Sequence, residues 1–303
     1  ESATVREFSP PVAVFFLLSP NSKVPPKLSF KSRGEEDDSG SKPAYHRLVL
    51  TRFPLLRHFH PSECGFFYLV NHGVEEELLG HVFEESSKLF SLPLEDKLKL
   101  ARKQHRGYTP LFSENLDPTS TSKDILPSWR PTMESYYRKV LSAGKRLISL
   151  IALALNLDEE FFEKVGALNK PTAVLRLLHY PGQLGSTDEE IYGASAHSDY
   201  GMVCREKSKQ PRIWEDVLHI DGAFIVNIGD MLERWTNCLF RSTLHRVMPA
   251  GQERYSVAFF LDPNEDFVVE CLKSCCSEAS PPRFPPIRSG DYLKERFRLT
   301  YGS

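Results

Sequence analysis

Three side chains of this chain could hold a metal ion together: His197, Asp199 and His245. His197 and Asp199 lie two apart in a small, polar stretch, Gly-Ala-Ser-Ala-His-Ser-Asp-Tyr-Gly at 193–201. On an extended strand residues i and i+2 share a face, so an imidazole and a carboxylate would project side by side. His245 sits in the apolar run Thr243-Leu244-His245-Arg246-Val247-Met248, where a strand would carry it inward. Two imidazoles and one carboxylate on one face of a metal leave the opposite face open, the arrangement expected of oxygen-activating iron(II). Each part alone is weak. His-x-Asp recurs by chance, and a histidine on a strand is more often a hydrogen-bonded core residue than a ligand.

A second pair strengthens the reading. Arg254 and Ser256 open another β-rich run soon after His245 and share one face of it. A guanidinium fork beside a hydroxyl suits a carboxylate, whereas in isolation the same pair would read as a surface arginine and a strand-end serine.

The elements that must position these residues change character along the chain. Gly-Phe-Phe-Tyr-Leu-Val at 65–70 reads as a short buried strand, closed by the turn Asn71-His72-Gly73. Leu78, Leu79, Val82, Phe83 and Leu89 then recur at helical spacing over 74–90, with Pro93 as the stop. The stretch 107–129 reads as loop. The longest helix is expected from Pro131 to about Leu157, its stripe formed by Leu147, Ile148, Ile151 and Leu155. Asp158 is placed to cap a short helix over 159–165. Five β-rich runs follow, at 172–180, 222–228, 242–248, 255–261 and 267–272, and a last helix at 289–299. Helices followed by short strands give an α+β chain whose second half is an antiparallel sandwich or barrel.

Composition narrows the class. With 303 residues the chain can bury a substantial core, and a formal net charge of -2 leaves no footprint for nucleic acid. The apolar run Val12 to Leu18 is too short to span a bilayer and lacks the flanks of a secretory signal, so neither a membrane nor a nucleic-acid partner is expected. Six cysteines without a C-x-x-C pair are expected to be thiols in a reducing, cytoplasmic setting. Residues 1–63 form a Pro-rich and in part irregular segment; 64–170 carry the helices and 171–303 the strands. The histidines at 58 and 60 read as part of a loop packed by aromatics rather than as a metal tract.

From Gly65 to Tyr301 the chain resembles the 2-oxoglutarate and iron(II)-dependent dioxygenases of the isopenicillin N synthase-like type, which include flavonol synthases and gibberellin oxidases. The ordered landmarks are Gly-Phe-Phe-Tyr-Leu-Val-Asn-His-Gly (65–73), His-Ser-Asp (197–199), Asn-Ile-Gly-Asp (227–230), Ser-Thr-Leu-His-Arg-Val (242–247), Arg-Tyr-Ser (254–256) and Phe-Phe-Leu-Asp-Pro-Asn (259–264). The resemblance implies a double-stranded β-helix, or jelly roll, with N-terminal helices packed against it. It implies iron(II) on His197, Asp199 and His245, and the distal carboxylate of 2-oxoglutarate on Arg254 and Ser256, with Tyr180 adding a hydrogen bond. His179 and His72 read as structural. The implied reaction couples decarboxylation of 2-oxoglutarate, to succinate and CO2, with hydroxylation or desaturation of a small organic molecule by O2. Some relatives use ascorbate, which stays open as a further co-reactant. A monomer is expected.

The chain also departs from that family. After Val203 it passes directly to Cys204-Arg205-Glu206-Lys207-Ser208-Lys209-Gln210-Pro211-Arg212 and Trp214, so about a dozen residues, roughly one strand and a turn, are absent. The stretch before Trp129 is short as well. A jelly roll lacking strands beside its metal would have an incomplete wall and unpaired edges. A truncated, catalytically impaired relative acting as a binding module is therefore the alternative. A His/Asp zinc hydrolase is a third reading, which leaves Arg254 and Ser256 without a role.

Overall fold

Apolar spacing accounts for where the two long helices lie and which face they bury. The computed structural model describes residues 66–100, 126–181, 216–247 and 252–296 with their side chains, and the backbone of 2–4, 13–18, 28–32, 56–57, 107–109, 194–197, 213–215 and 297–301. In chain order the elements are β1 (Ser2–Thr4), β2 (Ala13–Leu18), β3 (Leu28–Ser32), β4 (Leu56–Arg57), β5 (Phe66–Leu69), α1 (Glu76–Ser91), α2 (Leu94–Lys99), β6 (Gly107–Thr109), α3 (Trp129–Ala154) and α4 (Phe161–Lys164). There follow β7 (Thr172–Tyr180), β8 (Ala194–His197), β9 (Ile213–Val217), β10 (Phe224–Ile228), α5 (Asp230–Trp235), β11 (His245–Val247), β12 (Arg254–Asp262), β13 (Val268–Val269), β14 (Ile287–Arg288) and α6 (Ser289–Tyr301).

Helix α1 buries Leu79, Val82, Leu89 and Phe90 on one stripe, with Glu76 and Glu77 in its first turn and Lys88 in its last, each favourable to the helix dipole. In α3 the expected Leu147, Ile148 and Ile151 are all buried. The short helix α4 begins later than expected, at Phe161, with Glu160 rather than Asp158 at its N-cap and no side-chain cap bond. Asp158 instead accepts the Glu160 N–H at 2.9 Å in a turn ahead of the helix.

These helices cover one face of an eight-stranded antiparallel sheet ordered β4-β5-β10-β2-β12-β7-β1-β6. The period-2 alternation of β12 decides which side chains meet them. Val257, Phe259 and Leu261 join the helix-side core with Val140, Leu147 and Ile151, and Tyr137 packs edge-on against Phe259 with ring centroids 5.4 Å apart. Arg254, Ser256 and Ala258 alternate to the other face. There a smaller cluster of Phe66, Val217, Ile225 and Val247 joins this sheet to a second, four-stranded one, ordered β8-β11-β3-β9. Two antiparallel sheets thus face each other across that cluster, with the helices outside the larger. Phe259→Ala is expected to destabilise the protein by about 3–5 kcal/mol, as truncation of a buried aromatic does, read as a lowered denaturant midpoint with unchanged slope.

Among the described residues, the strand places expected to be empty beside the site are occupied. In the larger sheet β2 lies between β10 and β12, pairing Phe16 with both Ile225 and Ala258. In the smaller sheet β3 lies between β11 and β9, pairing Phe30 with both His245 and Glu215. The strand places next to the site are filled by residues upstream of Gly65. The segment read as in part irregular contributes β1 to β4, and the apolar run that forms β2 lies between prolines rather than across them.

Two smaller expectations are also corrected. The run at 267–272 gives only the two-residue β13, since the Leu272 N–H turns away to Trp235 O at 2.8 Å and a 3-10 turn follows at Lys273–Cys275. Within the stretch read as loop, Gly107–Thr109 pairs with β1. The histidines at 58 and 60, and the residues that follow Val203 up to Arg212, lie outside the described residues, as do residues 110–125. Cys238, Cys271, Cys275 and Cys276 are in no disulfide.

Candidate active site

His245 and His197 are register partners on neighbouring antiparallel strands, β11 and β8. Directly opposed residues on such a pair share a face and lie about 5 Å apart, so the sequence-predicted histidines are brought together. His245 is fully buried, and its Nδ1 lies 3.0 Å from Thr243 O. A carbonyl only accepts, so in the neutral ring Nδ1 carries the proton and Nε2 keeps the lone pair that a metal requires. Asp199 lies outside the described residues. Its place two residues beyond His197 is a fact of the sequence.

The second predicted group is assembled on the larger sheet. Arg254 and Tyr180 are register partners on β12 and β7, and the Arg254 Cζ sits 4.3 Å above the Tyr180 ring, a cation–π contact that holds the guanidinium flat. Ser256, two residues along the same face, is buried. Burial holds the Arg254 pKa below its ordinary value, with Tyr180 opposing that shift. A guanidinium removed from water in this way favours an anionic partner.

Packing ties the two groups together. Tyr180 and Tyr68 pack against the cluster of Phe66, Ile225, Val217 and Val247, and the Phe66 ring meets the His245 imidazole edge-on at 5.4 Å. Three residues contribute here that the sequence did not single out as site residues. Phe66 seats the imidazole. Asn227, a fully buried polar residue in the apolar run of β10, is the register partner of Phe66; an amide inside such a run is the signal that could have marked it. Glu233 is buried, and its carboxylate accepts the Ser242 N–H at 2.6 Å, anchoring the chain three residues before His245. Burial pushes the Glu233 pKa up, opposed first by that Ser242 bond.

The remaining histidines of these landmarks are structural, as read. Strand β7 sends His179 to the face opposite Tyr180, where it stacks on Tyr255 at 4.7 Å and bonds Glu253 at 2.7 Å. His72 stacks on Phe224 at 3.9 Å; its Nδ1 accepts the Val74 N–H at 3.2 Å while Nε2 faces Gly222 O at 3.1 Å. This bracing closes the turn in which Asn71 and Gly73 take positive φ angles of 52° and 77°, values natural to those two residues. Burial lowers the His72 pKa, opposed by the Gly222 carbonyl. A histidine held neutral in the folded state contributes stability above its unfolded pKa of about 6.5, and loses it as pH falls from there to the folded pKa. His72→Gln is expected to flatten that acid-side loss, which denaturation curves measured from pH 7.5 down to pH 5 would show.

Comparison with known proteins gives the class and then the family. Residues 171–263 match the 2OG-Fe(II) oxygenase superfamily, and residues 61–140 match the non-haem dioxygenase in morphine synthesis N-terminal family. The kihadalactone A synthase of Citrus sinensis is 38% identical over 283 aligned positions, covering 78% of this chain and 84% of that protein. Those positions outnumber the residues of this chain that they cover, so the relative carries residues where this chain has none. Among solved structures, a full-length Neurospora crassa protein in complex with alpha-KG and 5-formyluracil superposes with a TM-score of 0.65 at 26% identity, covering 79% of this chain and 88% of that one. JOX2 in complex with 2OG, Fe and JA gives a TM-score of 0.62 at 25% identity over 78% of each. The chain belongs to the 2OG-Fe(II) oxygenase superfamily. It has the jelly-roll fold of that family and is a 2-oxoglutarate/Fe(II)-dependent dioxygenase, with iron(II) and 2-oxoglutarate as its cofactors. Among the described residues, no helix is long and apolar enough to cross a membrane.

Proposed function

We propose that His197, Asp199 and His245 hold the iron(II) and that Arg254, Ser256 and Tyr180 hold 2-oxoglutarate, for the oxidation of a small organic molecule by hydroxylation or desaturation. The observation that carries this reading is the register pairing of His197 with His245. Two histidines far apart in sequence share one row of a sheet, and the one whose ring is described turns Nδ1 to a carbonyl, which in the neutral ring leaves Nε2 for a metal.

When bound, the iron and its cosubstrate supply the oxidising power, using O2 and releasing succinate and CO2. The protein's residues do the rest. His245 is locked in orientation by Thr243 and Phe66. Arg254 offers a dry, flat, fork-shaped cation to the carboxylate remote from the metal, and Ser256 adds a hydroxyl on the same face. Phe66, Ile225, Val217 and Val247 keep water from the space between the sheets. The strands β2 and β3 beside β12 and β11 also weigh against an impaired relative, since that alternative rested on missing wall strands.

Anaerobic titration of the purified protein with iron(II) and 2-oxoglutarate tests the assignment. A weak metal-to-ligand charge-transfer band in the visible is expected, together with a raised melting temperature from ligands that bind only the folded state. Folded protein that shows neither the band nor cosubstrate-dependent succinate would overturn it.

A further inference from the structure

The chain is short directly after its first two proposed ligands, and its unmatched N-terminal residues occupy interior strand positions in both sheets. We propose that β2 and β3 replace, from the N-terminal side, the wall strands that the shortened segment does not supply, and that β3 positions His245 for the metal.

Sequence pattern and register agree on this placement. Strand β2 is the continuous apolar run Ala-Val-Phe-Phe-Leu-Leu, the pattern of a strand buried on both faces. Its neighbours are of that kind: β10 is buried throughout, and β12 nearly so. Strand β3 instead alternates, Leu-Ser-Phe-Lys-Ser, the pattern of a strand with one dry face. Its apolar residues fall on the buried row of β11, Leu28 opposite Val247 and Phe30 opposite His245, and Ser29 falls opposite the more exposed Arg246. A slip of one residue would reverse every one of these matches. Nine residues, Ser19 to Lys27, connect the two strands. At about 3.3 Å each they reach well beyond the roughly 10 Å between facing sheets.

The second half of the proposal rests on how β11 is held. This strand has three residues, and its ladder to β8 is interrupted, with a register shift between His245 and Val247. Its ladder to β3 is continuous: His245 with Phe30, Arg246 with Ser29, Val247 with Leu28. The regular partner of the ligand strand is therefore β3. Phe30 takes the place beside His245 on the row, and Glu215 takes the next one.

The role in metal positioning rests on the iron reading above; the strand replacement does not, and the experiment separates them. In the full-length chain, Leu28→Cys with Val247→Cys places two cysteines as register partners, within the Cα separation a disulfide spans. Ser29→Cys with Val247→Cys is one residue out of register. Mild oxidation and peptide mapping are expected to find the 28–247 bridge in high yield and the 29–247 bridge at background. Equal yields, or no bridge at 28–247, would overturn the replacement. Ser29→Pro removes a ladder N–H from β3. It is expected to weaken iron(II) binding at least tenfold and to diminish the charge-transfer band, and wild-type iron affinity in that variant would overturn the positioning role. If the bridge forms while the parent protein shows no band, the iron reading fails and the strand replacement stands. A band without the bridge upholds the iron reading and overturns the strand replacement.

Discussion

Replacing His245 with alanine is expected to abolish iron(II) binding at micromolar metal and to reduce 2-oxoglutarate turnover by more than about a hundredfold. Losing a partner that merely orients a metal ligand already costs about 10–100-fold, and the ligand itself must cost more. The substitution also empties a fully buried site and takes the donor from Thr243 O, so a loss of about 1–3 kcal/mol in metal-free stability should accompany it. Two melts separate these effects. The parent protein, with ligands at a hundred times their Kd, should gain about 2.7 kcal/mol, whereas the variant should start lower and gain nothing. A variant that still melts higher with iron and 2-oxoglutarate would remove His245 from the ligand set.

The second large effect is expected at Arg254. Arg254→Met should raise the KM for 2-oxoglutarate at least thirtyfold, because losing one partner of a buried, hydrogen-bonded charge pair costs about 2–5 kcal/mol. Ligand-free stability should hold or rise. The guanidinium is buried and its charged form disfavoured there, and an apolar side chain of similar volume avoids that cost. Arg254→Lys should fall between, keeping a charge but losing the planar fork and its seat on Tyr180. Steady-state kinetics with 2-oxoglutarate varied, paired with ligand-free melts, would decide. If Arg254→Met raised KM only by unfolding the chain, its role would be structural.

Much of the candidate site was legible in the sequence because its residues break local patterns. A histidine in an apolar strand, and an arginine and serine alternating at the start of another, are weak signals singly and gain weight only together. Each proved to occupy the face that alternation assigned it. The helices were legible for the same reason, since Leu147, Ile148 and Ile151 recur at a spacing only a helix can put on one side. What could not be read was long-range pairing. Nothing local in Ala13–Leu18 names Phe259 as the partner of Phe15, nor in Leu28–Ser32 names His245 as the partner of Phe30. An apolar run announces that it will be covered, not by what. Counting strands only downstream of Gly65 therefore left the wall short. Glu233 was missed for a related reason: its bond to Ser242 exists only once α5 and the approach to β11 are folded against each other.

The placement of β2 has a consequence for how the chain can be made. Leu18 and Ser256 are neighbours in one sheet although they lie far apart along the polypeptide. A ribosome emits β2 well before its partners, and its slot between β10 and β12 does not exist until Asp262 has left the exit tunnel. Through most of that interval an apolar, β-prone segment is without its neighbours, the kind of segment on which nascent chains stick to one another. Closing so long a loop also slows barrel formation relative to a wall built from consecutive strands. Synthesis of this enzyme should accordingly depend on chaperones that hold β2 and β3, and a fast heterologous host should deliver more of it as aggregate than as enzyme.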